Sequence, residues 1–169
     1  MKKMTRFLAI AGLVSVSAGA FAQETATATA TATIITPISI SKTTDMNFGN
    51  VAAQSTASGT VVLTPAGVRS VTGGTTIPAT TGTVSAASFT VTGEADYTYS
   101  ITLPTADVTI TSGANTMTVN TFTSTPSGTG TLTEGSQTVT VGATLNVSAA
   151  QPAGTYVSAT PFNVTVNYN

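Results

Sequence analysis

The sequence predicts an all-β protein in which one β-sandwich domain follows an extended N-terminal arm. No segment after the first 22 residues repeats apolar residues at the three- and four-residue spacing of a helix. About ten short runs instead alternate apolar and polar residues, and clusters of Gly, Pro, Ser and Asn separate them. A strict Thr/Ala alternation fills residues 25–33. Together these patterns are typical of a sandwich of short strands.

The arm, residues 24–35, is the most distinctive part of the chain. Because side chains of a strand alternate between two faces, one face carries the apolar residues and the other carries threonine. Its backbone groups need partners, so the arm must pair with its own domain or with a neighbouring molecule. Pro37 cannot donate to a ladder, and we expect it to mark the joint. The predicted inward face consists of Ala26, Ala28, Ala30, Ala32 and Ile34.

Several strands of the domain can be placed from the pattern alone. The clearest central strands are residues 88–92 and 97–103, and a hairpin is expected around residues 112–115. Residues 124–130 are expected to form a turn, while 138–141 and 144–147 are expected to be two separate strands. The last predicted strand, residues 162–168, places Phe162, Val164, Val166 and Tyr168 on one face. A face of this kind must be covered by other residues.

Residues 1–22 have the features of a signal peptide. Lys2, Lys3 and Arg6 form a basic start, residues 7–16 are apolar, and residues 20–22 are a small-x-small cleavage site. We therefore expect export to the periplasm and then to the cell surface, without insertion into a membrane. The processed chain would have 147 residues, a size that suits one domain. About a quarter of it is threonine, which favours strands.

The residue inventory argues against an enzyme and against cofactor or metal binding. The chain has no His and no Cys, so it lacks the usual general base near neutral pH and any thiolate nucleophile or ligand. After processing, Lys42 and Arg69 stand against six acidic residues, a net charge of −4 that argues against nucleic-acid binding. Glu94 and Asp96 could belong to a Ca²⁺ site, but a solvated turn explains them better, because such sites need six to eight oxygen ligands.

A second class of function remains open at this point. Tyr97 and Tyr99 are two residues apart, so a strand would place both rings on one face, where they could stack on a sugar. In that case the protein would be a monomeric extracellular module that binds carbohydrate or another surface, and its arm would fold back as an edge strand. Ordinary core or cross-strand packing is the commoner reason for such a pair.

Three segments carry a family resemblance. Residues 46–51 (Met-Asn-Phe-Gly-Asn-Val), 59–63 and 88–93 resemble a bacterial secreted family of unknown function, and residues 154–169 are similar to its ending. That family in turn resembles the major subunits of Mat-type common pili and, more distantly, chaperone–usher pilins. The shared marks are Phe48-Gly49-Asn50 and Tyr168. The chain departs from many chaperone–usher pilins in having no cysteine and therefore no disulfide.

The resemblance implies an immunoglobulin-like sandwich that lacks one strand, and assembly by donor-strand exchange. The arm of one subunit would fill the groove of the next, which would be bordered by Phe162, Val164, Val166 and Tyr168. The expected partners are copies of the same chain in a head-to-tail filament, together with a periplasmic chaperone and an outer-membrane usher. The expected organisation is a signal peptide at 1–22, a donor-strand arm at 23–36 and a pilin-like domain at 37–169. The expected function is that of a structural subunit of a fimbria.

Overall fold

The computed structural model describes residues 22–169. Ile34–Asn169 form one compact unit, and residues 22–33 lie outside it. Within the described residues the fold is all-β, with one short 3₁₀ turn at Thr133–Gly135 and no α-helix. The strands are β1 (Ser39–Thr44), β2 (Ala52–Ala53), β3 (Gly59–Leu63), β4 (Arg69–Gly73), β5 (Thr75–Thr76), β6 (Ala87–Thr92), β7 (Thr98–Thr102), β8 (Val108–Ser112), β9 (Asn115–Thr125), β10 (Thr129–Thr131), β11 (Ser136–Val147), β12 (Val157–Ser158) and β13 (Thr165–Tyr168).

The strands form three antiparallel sheets. The large sheet has the order β1-β6-β11-β9-β8-β12, and β3 joins it through β11 and brings β4 with it. A smaller sheet has the order β10-β7-β13, and β2 pairs with β5 in a two-stranded ribbon. The long strand β11 is the centre of the large sheet, because β6 and β3 share one of its edges and β9 follows the other. This arrangement is consistent with a β-sandwich.

The first core cluster lies between the large and the small sheet. The large sheet contributes Phe89 and Val91 from β6 and Val139 and Val141 from β11, all buried. The small sheet and its connections contribute Tyr99, Ile101, Leu132 and Val166. Buried residues alternate with more exposed ones along β6 and β7, as the pleat of a half-buried strand requires.

The second core cluster lies on the other half of the large sheet. It consists of Val61, Val119, Ala143, Leu145 and Val147, which come from β3, β9 and β11. The small sheet contributes no residue to this cluster. Its partly buried neighbours include residues of the irregular segment 46–53, which leads from β1 into the two-stranded ribbon. The apolar face is therefore covered by irregular chain here, and this half of the domain carries the candidate site.

The hairpin predicted around residues 112–115 is confirmed, because β8 and β9 pair with Ser112 opposite Asn115. Two other predictions are wrong. Residues 138–141 and 144–147 belong to one strand, β11, which passes its register shift at Gly142 without interruption. The expected turn at 124–130 begins inside β9, which continues to Thr125 and pairs with Thr140.

The last strand is shorter than predicted. The ladder between β13 and β7 begins where Thr165 faces Thr102, so residues 162–164 lie outside it. Leu103 and Pro104 follow β7, and a proline cannot donate a ladder hydrogen bond. The alternation itself still continues in burial, since Phe162, Val164 and Tyr168 are half-buried and Val166 is buried, while Asn163, Thr165 and Asn167 are exposed.

Candidate subunit interface

The arm is exposed along its length. Residues 22–33 are in no strand or helix, and every one of them is exposed, including the four alanines of the predicted inward face. Ile34 is 92% exposed. The threonines of this segment favour an extended backbone. Its backbone N–H and C=O groups are therefore available to pair with another strand.

An open sheet edge is available on the domain. Among the described strands, β13 pairs only with β7, on one of its two sides, so it forms an edge of the small sheet. β1 is likewise an edge of the large sheet and pairs only with β6. Edge strands present unpaired backbone groups that can accept a further strand. Val166 of β13 is buried against the first core cluster, and this anchors the edge.

An apolar groove of about 1060 Å³ opens over the second core cluster. One wall is formed by residues 44–53, with Met46 and Phe48 facing the cluster, and the other wall by residues 151–158 and Phe162. Among the residues that the structure describes, two charged side chains line it, Lys42 and Asp45, which form an exposed ion pair of 2.6 Å with each other. The apolar residues that form its floor are Val108, Ile110, Met117, Val119, Leu145 and Val147.

Phe162 connects the groove to the first core cluster. Its ring centroid is 5.0 Å from that of Phe122 and 6.5 Å from that of Phe89, in tilted and edge-on arrangements. It is the one residue of the predicted groove edge that lines this groove. Val164 packs against the first cluster, Val166 lies within it, and Tyr168 lies at the far end of β13, beside Gly93.

The Phe48-Gly49-Asn50 element is a tightly held turn in the first groove wall. The Asn47 side chain accepts the Gly49 N–H at 2.8 Å, and the Asn50 N–H donates to the Thr81 carbonyl at 2.8 Å. Gly49 has a φ of +66°, and a Cβ there would collide with the Thr81 carbonyl, so only glycine fits. These three residues, which carry part of the family resemblance, thus form a turn whose conformation is fixed.

Arg69 also holds this turn, and no pattern in the sequence predicted that role. Its Nη1 donates to the Phe48 carbonyl and, at 3.0 Å, to the Asn50 carbonyl. A planar guanidinium can serve two carbonyls at once, whereas an ammonium is a single point of charge. A signal was present in the sequence, because Arg69 is one of only two basic residues after position 22.

The second wall is braced by side-chain amide and phenol groups. Gln151 Nε2 donates to Tyr156 Oη at 2.8 Å and to the Thr116 carbonyl at 3.1 Å. Tyr156 Oη donates in turn to the Pro152 carbonyl at 2.8 Å. These bonds tie an irregular segment to the start of β9. Both walls of the groove are therefore fixed by hydrogen bonds.

The tyrosine pair does not form a stacking platform. Tyr99 is fully buried, and its hydroxyl donates to Gln137 Oε1 at 2.7 Å. Burial raises the pKa of the Tyr99 phenol above its ordinary value of 10.0. Tyr97 precedes β7, is 44% exposed, and packs edge-on against Tyr168 with ring centroids 5.7 Å apart. A sugar could reach one ring of the pair only.

Glu94 and Asp96 have no third potential metal ligand grouped with them among the described residues. In the part of the chain that the structure describes, no three acidic residues come close enough together to hold an ion. Glu94 and Asp96 lie in the turn between β6 and β7, and the Glu94 carboxylate accepts the Thr36 N–H at 2.9 Å. That bond lowers the pKa of the Glu94 carboxyl below 4.5.

Residues 1–21 of the predicted signal peptide lie outside the described residues, so the structure leaves that prediction as it stood. Between residues 22 and 169, no helix has the length and apolar character that crossing a bilayer requires.

The fold and the groove define an all-β antiparallel domain with an exposed N-terminal extension. The chain belongs to the family described as "Domain of unknown function (DUF4402)", whose model matches residues 38–168. The match begins beyond the arm and covers all thirteen strands, from β1 to β13. Searches of curated proteins and of solved structures found no match.

Proposed function

We propose that this protein is a structural subunit of a bacterial fimbria that polymerises by donor-strand exchange. The arm of one copy, residues 24–35, adds as a strand along the open side of β13 and over the groove of the next copy. The domain acts in this proposal as an immunoglobulin-like, pilin-like sandwich that lacks one strand. The observation that carries the proposal is the coexistence of an exposed, alternating arm with an unpaired edge at β13.

The chemistry of the two surfaces supports this pairing. Addition of a strand to an edge supplies backbone hydrogen bonds, and alternate side chains enter the pockets beneath it. The arm offers Ala26, Ala28, Ala30 and Ala32 on one face, followed by the larger Ile34. The groove is lined mainly by apolar residues, and the two charged residues in its lining, Lys42 and Asp45, pair with each other. A small apolar face without charge suits such a surface.

The geometry of donation favours an open filament. An arm that leaves one copy and enters a different surface of the next makes a heterologous contact, which repeats without closing unless the rotation forms a ring. The eleven residues 25–35, when extended, span about 36 Å, which is long enough to run along a whole sandwich. Export through the signal peptide would deliver the subunit to the periplasm, where a chaperone and an usher would handle it before assembly at the cell surface.

A truncated protein that begins at Thr36 tests the proposal. We expect it to keep its β structure by circular dichroism and to form no filaments in electron micrographs of sheared surface material. The full chain should give filaments and, in gels run without boiling, a ladder that collapses on heating. Filaments formed by the truncated protein would overturn the proposal, and so would a full chain that remains monomeric.

Cysteine pairs test the contact itself, because the natural chain has no cysteine and every disulfide must come from the introduced pair. Asn167→Cys places a thiol on the exposed face of β13. It should be combined in turn with cysteine at Thr27, Thr29, Thr31 and Thr33, on the predicted outward face of the arm. Oxidation should yield covalent multimers for the pairs in register. Cysteine at exposed Thr109 of β8 is the matched control, and we expect no multimers from it.

A further inference from the structure

Three residues that are distant in the sequence meet where the chain enters the domain. Tyr168 Oη of β13 donates to the Thr36 carbonyl at 2.8 Å and accepts the Glu94 N–H at 2.6 Å. The Glu94 carboxylate accepts the Thr36 N–H at 2.9 Å. We refer to Thr36, Glu94 and Tyr168 as the Thr36 clamp. It ties both backbone groups of Thr36 to the small sheet and to the turn between β6 and β7.

The packing around the clamp shows that the position of the tyrosine is built into the fold. Gly93 lies directly against Tyr168, and a Cβ at that position would collide with the Tyr168 hydroxyl. The Tyr97 ring covers Tyr168 from another side, edge-on at 5.7 Å. The backbone of Tyr168 pairs with Tyr99 in the β13–β7 ladder, and its half-buried side chain packs against the first core cluster. The Tyr168 side chain is thus positioned by Gly93, by the Tyr97 ring and by the pairing of its own strand.

The strand that follows the clamp is a weak anchor by itself. β1 has the sequence Ser-Ile-Ser-Lys-Thr-Thr and pairs only with β6. Of its six residues, only Ile40 is half-buried, and the other five are exposed. Tension applied at the N-terminal end of such an edge strand would break its ladder bonds one at a time, starting at the Ser39–Thr92 pair. Each of those bonds makes only a small net contribution to stability.

We infer that the Thr36 clamp is the mechanical attachment of the arm, through which tension in the arm is shared between both sheets before it reaches β1. The order along the chain requires this, because the arm ends at Ile35, the clamp holds Thr36, and β1 begins only at Ser39. Tyr168 passes part of the load into β13, and Glu94 passes part into the turn between β6 and β7. Both act as positioning residues that keep the base of the arm attached.

The inference rests on the proposed function for its biological meaning, since an arm carries tension only when it joins two subunits. The mechanical strength of the clamp is a property of a single molecule, so it can be measured without a filament. If the full chain forms no filaments, the proposed function fails while the clamp stays measurable. If filaments form normally and the clamp variants behave like the natural protein under force, only the clamp is wrong.

Single-molecule pulling on the full processed chain tests the inference, with handles attached to cysteines introduced at Glu24 and Ser148. We expect the natural domain to open in one event. Tyr168→Phe keeps the ring and removes the hydroxyl, so β1 should peel first and release about 3 nm of chain at lower force, as expected for fewer than ten extended residues. Ser100→Ala is the matched control, because it removes a 3.2 Å bond to the Asn167 carbonyl in the same sheet and leaves the clamp intact.

A second variant separates a loss of the clamp from a loss of the fold. Glu94→Ala removes the acceptor of the Thr36 N–H at a partly exposed turn, so the core stays unchanged. It should show the same early release, and Glu94→Gln should restore much of the single-event behaviour, because its amide oxygen can still accept. An unchanged single opening event in both Tyr168→Phe and Glu94→Ala would overturn the inference.

Discussion

The hydroxyl of Tyr168 donates a 2.8 Å hydrogen bond to the carbonyl of Thr36, a residue 132 positions earlier in the chain. This bond connects the last strand, at the edge of the small sheet, to the segment that leads into the first strand of the large sheet. The edge strands β13 and β1 are thus connected close to Thr36.

The Thr36 amide should report the ionisation of Glu94. Because the hydrogen bond from the Thr36 backbone lowers the pKa of the Glu94 carboxyl, the folded state favours the carboxylate. This stabilisation is complete above the carboxyl's ordinary pKa of 4.5 and is lost as the pH falls through the lowered value. An NMR titration of the Thr36 amide shift should show a midpoint below 4.5 that is absent in Glu94→Gln. A midpoint at or above 4.5 would contradict the bond.

The buried phenol of Tyr99 should limit stability at alkaline pH. Burial raises its pKa above 10.0, so the folded state favours the neutral phenol, and the stabilisation present below pH 10 is lost as the pH rises through the raised value. Tyr99→Phe should lower the free energy of unfolding at pH 7 by about 1 kcal/mol, since it removes the bond to Gln137. The variant should also lose less of its free energy of unfolding as the pH rises above 10. Urea unfolding at pH 7 and above pH 10 measures both effects, with Tyr97→Phe as the exposed control.

Removing the guanidinium of Arg69 should loosen the first groove wall. Arg69→Ala leaves the Phe48 and Asn50 carbonyls without their charged donor, and bonds of that kind contribute about 1.5–3 kcal/mol. Arg69→Lys should recover only part of the loss, because an ammonium does not reproduce the planar fork. Lys42→Ala is the control, since its ion pair with Asp45 is exposed and such pairs contribute about 0–1 kcal/mol. If urea unfolding showed equal losses of unfolding free energy for Arg69→Ala and Lys42→Ala, Arg69 would not hold the turn in this way.

A charge on the inward face of the arm should block assembly, while the same charge on the outward face should not. Ala30→Lys would bring an ammonium against an apolar groove, and a buried unpaired charge is costly. Thr29→Lys, one residue earlier, would keep its charge in water. Electron microscopy and unboiled gels should therefore show filaments for Thr29→Lys and none for Ala30→Lys. The reverse result would mean that the faces are assigned the wrong way round.

Local patterns in the sequence were enough to predict an all-β fold and the positions of several strands. The hairpin of β8 and β9 was predictable because its turn residues and its alternation lie next to one another in the chain. The alternation of Phe162, Val164, Val166 and Tyr168 also appears in their burial, although only Thr165–Tyr168 form a strand. The strand ends early because its partner strand runs into Pro104, a restriction that the last segment alone does not contain.

The groove and the clamp could not be predicted in this way, because both depend on tertiary contacts. The groove is formed where residues 44–53, 108–119 and 151–162 meet, and no pattern within one of these segments indicates the other two. The Glu94 carboxylate was interpreted as part of a solvated turn, which is correct for its position, but its bond to Thr36 spans 58 residues. Pairings at that distance are fixed by the packing of the two sheets.

The long strand β11 has a consequence for how the domain unfolds. Val139 and Val141 belong to the first core cluster, while Ala143, Leu145 and Val147 belong to the second, so one continuous strand serves both halves. Neither cluster can lose β11 without exposing the apolar face of the other. The two halves are therefore expected to melt in a single cooperative transition. A domain of this design withstands damage to one end only as long as that central strand holds, and then fails as a whole.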